Sequence, residues 1–463
     1  MSALPLTYVF LIPVAFAFLA FGMAARRAAA IPRGEEGKLH SLPKYHGYLV
    51  ALSVLVPSLL LILAWLMLEP LVLWRIVVAD LPDLIRDAGS SAQLSLIVSQ
   101  VQQAATGTTF GTPEPYIVEG ARTLVAAQQW SRWLLPVVVV SICLLAIFLI
   151  LPRISLRFRA RDKTERVIRG ILIVCAIVSI LATVGILASL VFEGYRFFSL
   201  VPLTEFLFGT RWDTQIAIRP DQVASSGAFG AIPVFAGTLM IALIAMAVAT
   251  PVGLFAAIYM AEFASPLMRG VVKPLIEVLA GIPTIVYGFF AVLVVSPAIR
   301  EWGGAIGLSI SPTAAIVPGL VMGVMLIPFI SSLADDAINA VPTSLRDGSL
   351  GLGADRNETV TKVILPAALP GIVGGILLAT SRAIGETMIV VMAAGLTANL
   401  TANPFEGVTT VTVQIVTLLI GDTAFDNPKT LAAFGLGLSL FVATLGLNLL
   451  ALGIVRKYRE QYD

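Results

Sequence analysis

Val341-Pro342-Thr343-Ser344-Leu345-Arg346-Asp347-Gly348-Ser349-Leu350-Gly351-Leu352-Gly353-Ala354-Asp355, running on to Val363-Ile364-Leu365-Pro366, is a mixed stretch set between two long apolar runs. Apolar residues alternate in it with small and charged ones. That pattern predicts two short helices lying outside a membrane and separated by a glycine turn. Gly353 suits the turn, because glycine enters φ > 0 without a Cβ clash. Pro342 suits the start of the first short helix, where no backbone donor is needed. The flanking runs, about 313–333 and 371–396, have the length of membrane spans, which need roughly 20 apolar residues.

The same test applied outward gives nine spans: about 5–25, 47–69, 134–152, 168–192, 233–260, 275–297, 313–333, 371–396 and 432–455. Composition agrees. Of 463 residues, 58% are hydrophobic and 13% charged, with a mean hydropathy of +0.93, whereas soluble domains carry about 25% charged residues. A soluble enzyme, a disordered chain and a disulfide scaffold are excluded. The fold class is all-α, a polytopic membrane helical bundle. The net charge of +2 gives no polyanion-binding surface and no nucleic-acid partner. Cys143 and Cys175 lie in apolar runs without metal spacing and read as small buried hydrophobes. No metal site is expected.

The first span is expected to be retained. Its leading residues Met1 to Pro5 carry no positive side chain, and Arg26 and Arg27 follow the apolar run. Of the 30 Lys and Arg, twenty fall in one alternating set of loops, nine in the other, and Arg382 inside a span. The rich side faces the cytoplasm by the positive-inside rule. The N-terminus is then outside and the C-terminus cytoplasmic. Composition changes near residue 150, dividing the chain into 1–150 and 151–463. Residues 70–133 form a long outer loop with no visible motif, suited to a small external layer or a helical pair. The basic run Arg153–Arg169 reads equally as an amphipathic helix on the inner surface or as a plain stop-transfer flank. In the external segment 193–232, Trp212, Phe197, Phe198, Phe206 and Phe208 are expected at headgroup level.

One span holds a charged pair. In Ser381-Arg382-Ala383-Ile384-Gly385-Glu386-Thr387-Met388, Arg382 and Glu386 are i,i+4 neighbours on one face of a continuous helix. An arginine at a helix centre costs at least ~2.5–3.5 kcal/mol on insertion scales, so both groups should face the bundle interior or a water-filled path. The guanidinium fork suits tetrahedral oxyanions. Glu386 would hold Arg382 or exchange it for the anion. An internal ion pair of purely structural use is the other reading.

The inner loop resembles that of ABC importer permeases. That loop has a Glu-Ala-Ala triplet, Gly six positions after the Glu, and a hydrophobic residue, Leu and Pro at sixteen, eighteen and nineteen. Counted from Asp347, those positions are Gly353, Val363, Leu365 and Pro366. The triplet itself differs, being Asp347-Gly348-Ser349, and Gly348 weakens a helix by ~1 kcal/mol relative to Ala. The resemblance implies that 341–366 couples to an ATPase subunit, with Arg346, Asp347, Gly353, Leu365 and Pro366 in the coupling element. The chain has no Gly-x-x-x-x-Gly-Lys-Ser/Thr loop of its own. ATP and Mg are therefore expected on a partner ATPase, with no cofactor and no catalysis in this chain.

Arg382 to Met388, continued by Ile389-Val390-Val391-Met392-Ala393-Ala394-Gly395, is similar to the signature of permeases of the phosphate-specific (Pst) ABC system, C-type. Leu279 to Gly288, Gly237-Thr238-Leu239, Pro251-Val252-Gly253 and Ile258 to Glu262 agree with it. The likeness covers about 150–463, implying a type I importer-like core of six spans, with about three extra N-terminal spans as an extension. It implies phosphate passage by Arg382 and Glu386, with Thr387 as a further donor. It also implies a second, A-type permease subunit, two ATPase copies, an external phosphate-binding protein, contact with membrane lipid, a bacterial inner membrane and a part in phosphate-dependent signalling. Other readings are an ABC permease for sulfate, molybdate or phosphonate, an ion-driven secondary transporter, and a membrane sensor using 70–133.

Overall fold

In lipid, a backbone must close its own hydrogen bonds, so each charge-free run becomes a helix. The computed structural model describes residues 6–31, 39–82, 91–108, 113–214, 227–420 and 427–458. Among them are nine helices long and apolar enough to cross a membrane, one for each span expected from hydropathy. The chain divides into two compact units, Met1–Leu181 and Ala182–Asp463. The division falls inside a helix, later than the change in composition near residue 150.

In the first unit, α1 (Leu6–Ala29), α2 (Pro43–Ala79) and α4 (Pro115–Ile150) form the bundle. They share a core of Ala17, Ala20, Ala24, Val50, Val54, Ile62, Val139 and Cys143. Small side chains let α1 and α2 approach closely: a Cβ on Gly47 would stand 2.6 Å from the Phe21 ring. The region 70–133 is more helical than a loop. α2 runs on to Ala79, and α3 (Ser91–Thr106) packs through Val98 and Val101 with Val77, Ile117 and Leu124. Arg161, Lys163, Arg166 and Arg169 lie in the first turns of α5 (Ala160–Leu200), so that half of the basic run is a straight extension of a span. Cys143 is buried, with its sulfur 3.3 Å from the Ser58 hydroxyl. Cys175 corrects the expectation for the pair: it is exposed on α5.

The second unit is centred on α7 (Ile232–Ile258) and α11 (Ile316–Asn339). Gly319 and Gly323, four residues apart, bring these helices together; a Cβ there would lie 2.7 Å from Ile244 and 2.9 Å from Val248. Ile241, Ala245, Met322 and Leu326 fill the core around them. α14 (Leu365–Ile384) packs on α11, and α17 (Pro428–Tyr458) packs on α14. The sixth span is displaced from its expected 275–297. α8 (Pro266–Gly281) ends first, and the crossing runs from Thr284 to Ala305 through α9 (Thr284–Phe290), a π-turn (Ala291–Val295) and α10 (Ser296–Ala305). Pro283 is the reason, since it drives the preceding residue out of the helical region; Ile282 has ψ 127°.

The aromatic segment packs on itself. Phe197 and Phe206 are fully buried, packed edge-on with Phe198 and Phe229, and Trp212 joins through Phe229. They cap a core with α6 (Leu203–Phe208) and a two-residue hairpin, β1 (Trp212–Asp213) and β2 (Ala228–Phe229). Phe208 alone of the five stays widely exposed.

Candidate functional site

The span carrying Arg382 is broken. α14 closes at Ile384, Gly385 caps it, and α15 (Met388–Ala393) starts afresh after Thr387. The expected continuous helix over 371–396 is therefore corrected, and with it the pairing of Arg382 and Glu386 on one face. Arg382 lies in the last turn of α14, where a cation complements the helix dipole. Glu386 lies beyond the break. Among the described residues no ion pair joins them. The Arg382 guanidinium stands 5.4 Å from the centre of the Phe329 ring on α11. Arg382 is exposed in the single chain, while Glu386 and Thr387 are half-buried.

Glu386 is held by its own neighbourhood. Its carboxylate accepts from the Thr387 amide at 3.2 Å, and its carbonyl accepts from the Thr412 hydroxyl at 2.8 Å. Behind the break is a buried polar cluster. Thr410 caps α16 (Val411–Leu419), Thr238 accepts from the Val411 amide at 3.0 Å, and Gln414 donates to Thr409 and to the Leu396 carbonyl. Gly237 permits this approach: a Cβ there would sit 2.1 Å from the Thr409 carbonyl oxygen.

The inner loop forms two short helices, α12 (Thr343–Gly351) and α13 (Arg356–Thr359), followed by a π-turn (Val360–Ile364) into α14. Gly353 lies between them at φ +90°. Pro342 stands at the N-cap of α12, and Asp355 with Glu358 makes a reciprocal cap on α13. Val341, Val360, Ile364 and Ala368 pack with Ala257, Ala334 and Ile338, and Leu345 and Leu365 lie against them. The loop is thus an extension of the bundle's core.

Arg346 turns inward. Its Nη2 lies 2.8 Å from Glu262 Oε1 and donates to the Ile338 carbonyl at 3.0 Å. Arg356 donates to the Glu262 carbonyl and stands over the Phe263 ring. Glu262 belongs to the π-turn (Tyr259–Phe263) that ends α7. Asp347, Pro366 and Gly353 are exposed, as are Leu350 and, at 91%, Leu352. Nearby, Asp335 is 1% exposed and takes Arg269 Nη2 at 3.0 Å, Lys273 Nζ at 2.8 Å and Asn339 Nδ2 at 2.9 Å.

Residues 249–460 match the family described as binding-protein-dependent transport system inner membrane component. Residues 9–182 match one described as phosphate ATP-binding cassette transporter. A phosphate transport system permease protein PstC of Pasteurella multocida is 31% identical over 305 residues, covering 62% of this chain and 90% of that protein. The chain belongs to the PstC family of ABC transporter permeases. A probable ABC transporter permease protein YqgH of Bacillus subtilis is 34% identical, over 59% of this chain and 86% of that protein. Among solved structures, the MetNI methionine ABC transporter, in inward facing conformations, aligns at 20% identity and a TM-score of 0.38 over 50% of this chain and 95% of that chain. The PstC-family permease is a multi-pass inner membrane protein. Residues 9–150, outside the resemblance seen in the sequence, fall within the match to 9–182.

Sequence reasoning missed Asp335 with its two cations, the role of Glu262 and the polar cluster around Gln414. Thr409-Thr410-Val411-Thr412-Val413-Gln414 was available as a signal. It is polar at alternate positions between spans, and lone polar groups in an apolar protein need partners.

Proposed function

We infer that this PstC-family chain is the permease subunit of an ATP-driven importer of inorganic phosphate. The observation that carries this reading is Arg382: a guanidinium at a break in a span, with no carboxylate partner among the described residues, and open in the single chain. A planar fork left unpaired in an apolar bundle matches a tetrahedral oxyanion that arrives and leaves. Glu386 and Thr387 stand across the break, where the carboxylate repels the anion once bound and Thr387 offers a hydroxyl. Phosphate is the substrate named for the PstC relatives. A second, A-type permease subunit covers the exposed side of Arg382 and completes the path.

The power stroke comes from elsewhere. This chain hydrolyses nothing; two copies of a partner ATPase bind ATP and Mg. The exposed patch of Asp347, Leu350 and Leu352 docks into that partner, while Gly353 sets the turn and Leu365 and Pro366 join the loop to α14. Arg346 acts behind the patch as a brace. Rigid docking on one side and a packed core on the other let ATPase closure move α11 and α14 as bodies. An external phosphate-binding protein delivers the substrate, and the C-terminus faces the cytoplasm with the basic loops.

The test is uptake of labelled phosphate by proteoliposomes holding the complete complex. ATP-dependent uptake that excess sulfate or molybdate does not compete is expected. Uptake without ATP, or equal competition by those anions, would overturn the reading.

A further inference from the structure

Away from Arg382, in the first unit, α1, α2, α3 and α4 leave a cleft of about 620 Å³, within the usual range for ligand sites of roughly 300–1,000 Å³. Apolar side chains, Leu66, Leu73, Val98 and Leu135 among them, line it together with the polar Glu69, Ser131 and Arg132.

Two opposite charges face one cavity here without pairing. Glu69 accepts from the Ser131 hydroxyl at 2.6 Å, and Ser131 accepts from the Trp65 indole at 2.9 Å. This chain fixes the carboxylate, yet no cation among the described residues lies within ion-pair distance of it. Arg132 has no carboxylate partner among them either. Two prolines sharpen the site. Pro70 and Pro136 lie inside α2 and α4, and each withholds the N–H that would close on the carbonyl four residues earlier. Those carbonyls belong to Leu66 and Arg132, both lining residues.

Depth narrows the ligand. At 1.5 Å per residue, Glu69 lies about 39 Å along α2 from Pro43, and Arg132 about 27 Å along α4 from Ile150. The basic loops adjoin Pro43 and Ile150, so the cleft opens at the far headgroup region of a bilayer whose apolar core is about 30 Å thick. Four of the six tryptophans, Trp65, Trp74, Trp130 and Trp133, fall near this level, and tryptophan favours that interface.

The geometry points to a bound phospholipid with a zwitterionic, primary-ammonium headgroup, of the phosphatidylethanolamine class. Its phosphate faces Arg132, its ammonium donates to Glu69 and to the freed carbonyls, and an acyl chain lies against Leu66, Leu73 and Leu135. A purely anionic lipid leaves Glu69 unpaired. A choline lipid matches the charges but has no N–H to give.

The test is native mass spectrometry of the full chain, with the subunits that purify with it, released from nanodiscs of equal phosphatidylethanolamine, phosphatidylcholine and phosphatidylglycerol. The wild type should retain the ethanolamine lipid about tenfold over either other lipid, the worth of one charge-assisted hydrogen bond. Glu69→Gln should bring the ethanolamine-to-glycerol ratio back to that of the bilayer, and Arg132→Gln should lower retention of all three. Retention in the bilayer's own proportions, equal retention of the choline lipid, or an ethanolamine preference untouched by Glu69→Gln would each overturn the proposal. The wild-type comparison needs no variant to fold. Free glycerophosphoethanolamine should not displace the lipid at millimolar concentration; displacement would mean a soluble zwitterion is the occupant and overturn the lipid assignment.

Discussion

Arg346 on the inner loop lies 2.8 Å from Glu262 at the end of α7, so a side chain of that loop is anchored to a different span. The loop is held on two sides, by this ion pair and by the hydrogen bond of Arg346 to the Ile338 carbonyl at the end of α11. A lever needs that stiffness, because a docking helix on a loose tether would move without moving the bundle.

Arg346→Ala should therefore loosen the inner loop while leaving the exposed patch intact. It strands a carboxylate that is 8% exposed, at a cost of roughly 2 kcal/mol once partial solvent access of the arginine is counted. Expected results are a lower unfolding temperature of the purified complex and more ATP hydrolysed per phosphate carried. An unchanged ratio would remove Arg346 from the transmission path.

Arg382→Ala should reduce phosphate uptake at least tenfold, corresponding to loss of charge-assisted hydrogen bonds worth about 1.5–3 kcal/mol. Arg382→Lys should recover only part of it, since the ammonium lacks the planar fork. Initial uptake rates in proteoliposomes, normalised to assembled complex, decide this. Near-normal uptake by the alanine variant would count against a substrate role.

Gly353→Val should uncouple hydrolysis from transport. Nothing lies within 4 Å of a Cβ built there, so the change meets open space, but φ is +90°. The cost is conformational, about 1–3 kcal/mol. Gly353→Asn should be milder, because asparagine tolerates positive φ better. Equal coupling in the valine and asparagine variants would show that the turn does not matter.

Gly237→Ala should destabilise the second unit by about 1–3 kcal/mol, the usual cost of overpacking. The added carbon would fall 2.1 Å from the Thr409 carbonyl oxygen, forcing apart the segment that carries the Thr238 to Val411 hydrogen bond. Thermal unfolding in detergent should show the loss, and an unshifted midpoint would mean that the backbone there yields freely.

Asp335→Asn should destabilise the inner end more than a surface charge change would. Arg269 and Lys273 both face Asp335, which is 1% exposed. Removing its charge takes away the carboxylate that both cations contact, a loss of about 3 kcal/mol. Urea or thermal unfolding of the complex would measure it.

Spans were legible because hydropathy is a local property: twenty apolar residues in a row have one solution in lipid. The inner loop was legible for a related reason. Gly353 and Pro342 restrict the backbone whatever surrounds them, and the structure puts a turn and a helix start at those positions. Pro283 carried the same kind of signal, and a stricter reading of it would have moved the sixth span to Thr284.

Charged partnerships were decided only by tertiary structure. Counting i,i+4 placed Glu386 beside Arg382, but the helix stops at Ile384 and the four-residue spacing no longer describes a face. Glu262 and Arg346 are 84 positions apart, and Asp335 meets cations more than 60 positions earlier. The cleft beside Glu69 is lined from four helices, so no one stretch of sequence shows it. Sequence by itself fixes where a chain must be helical and where it may turn. Which buried charges meet, and which are left for a ligand, depends on how those helices end and pack, because a Coulomb interaction follows distance in space and is indifferent to distance along the chain.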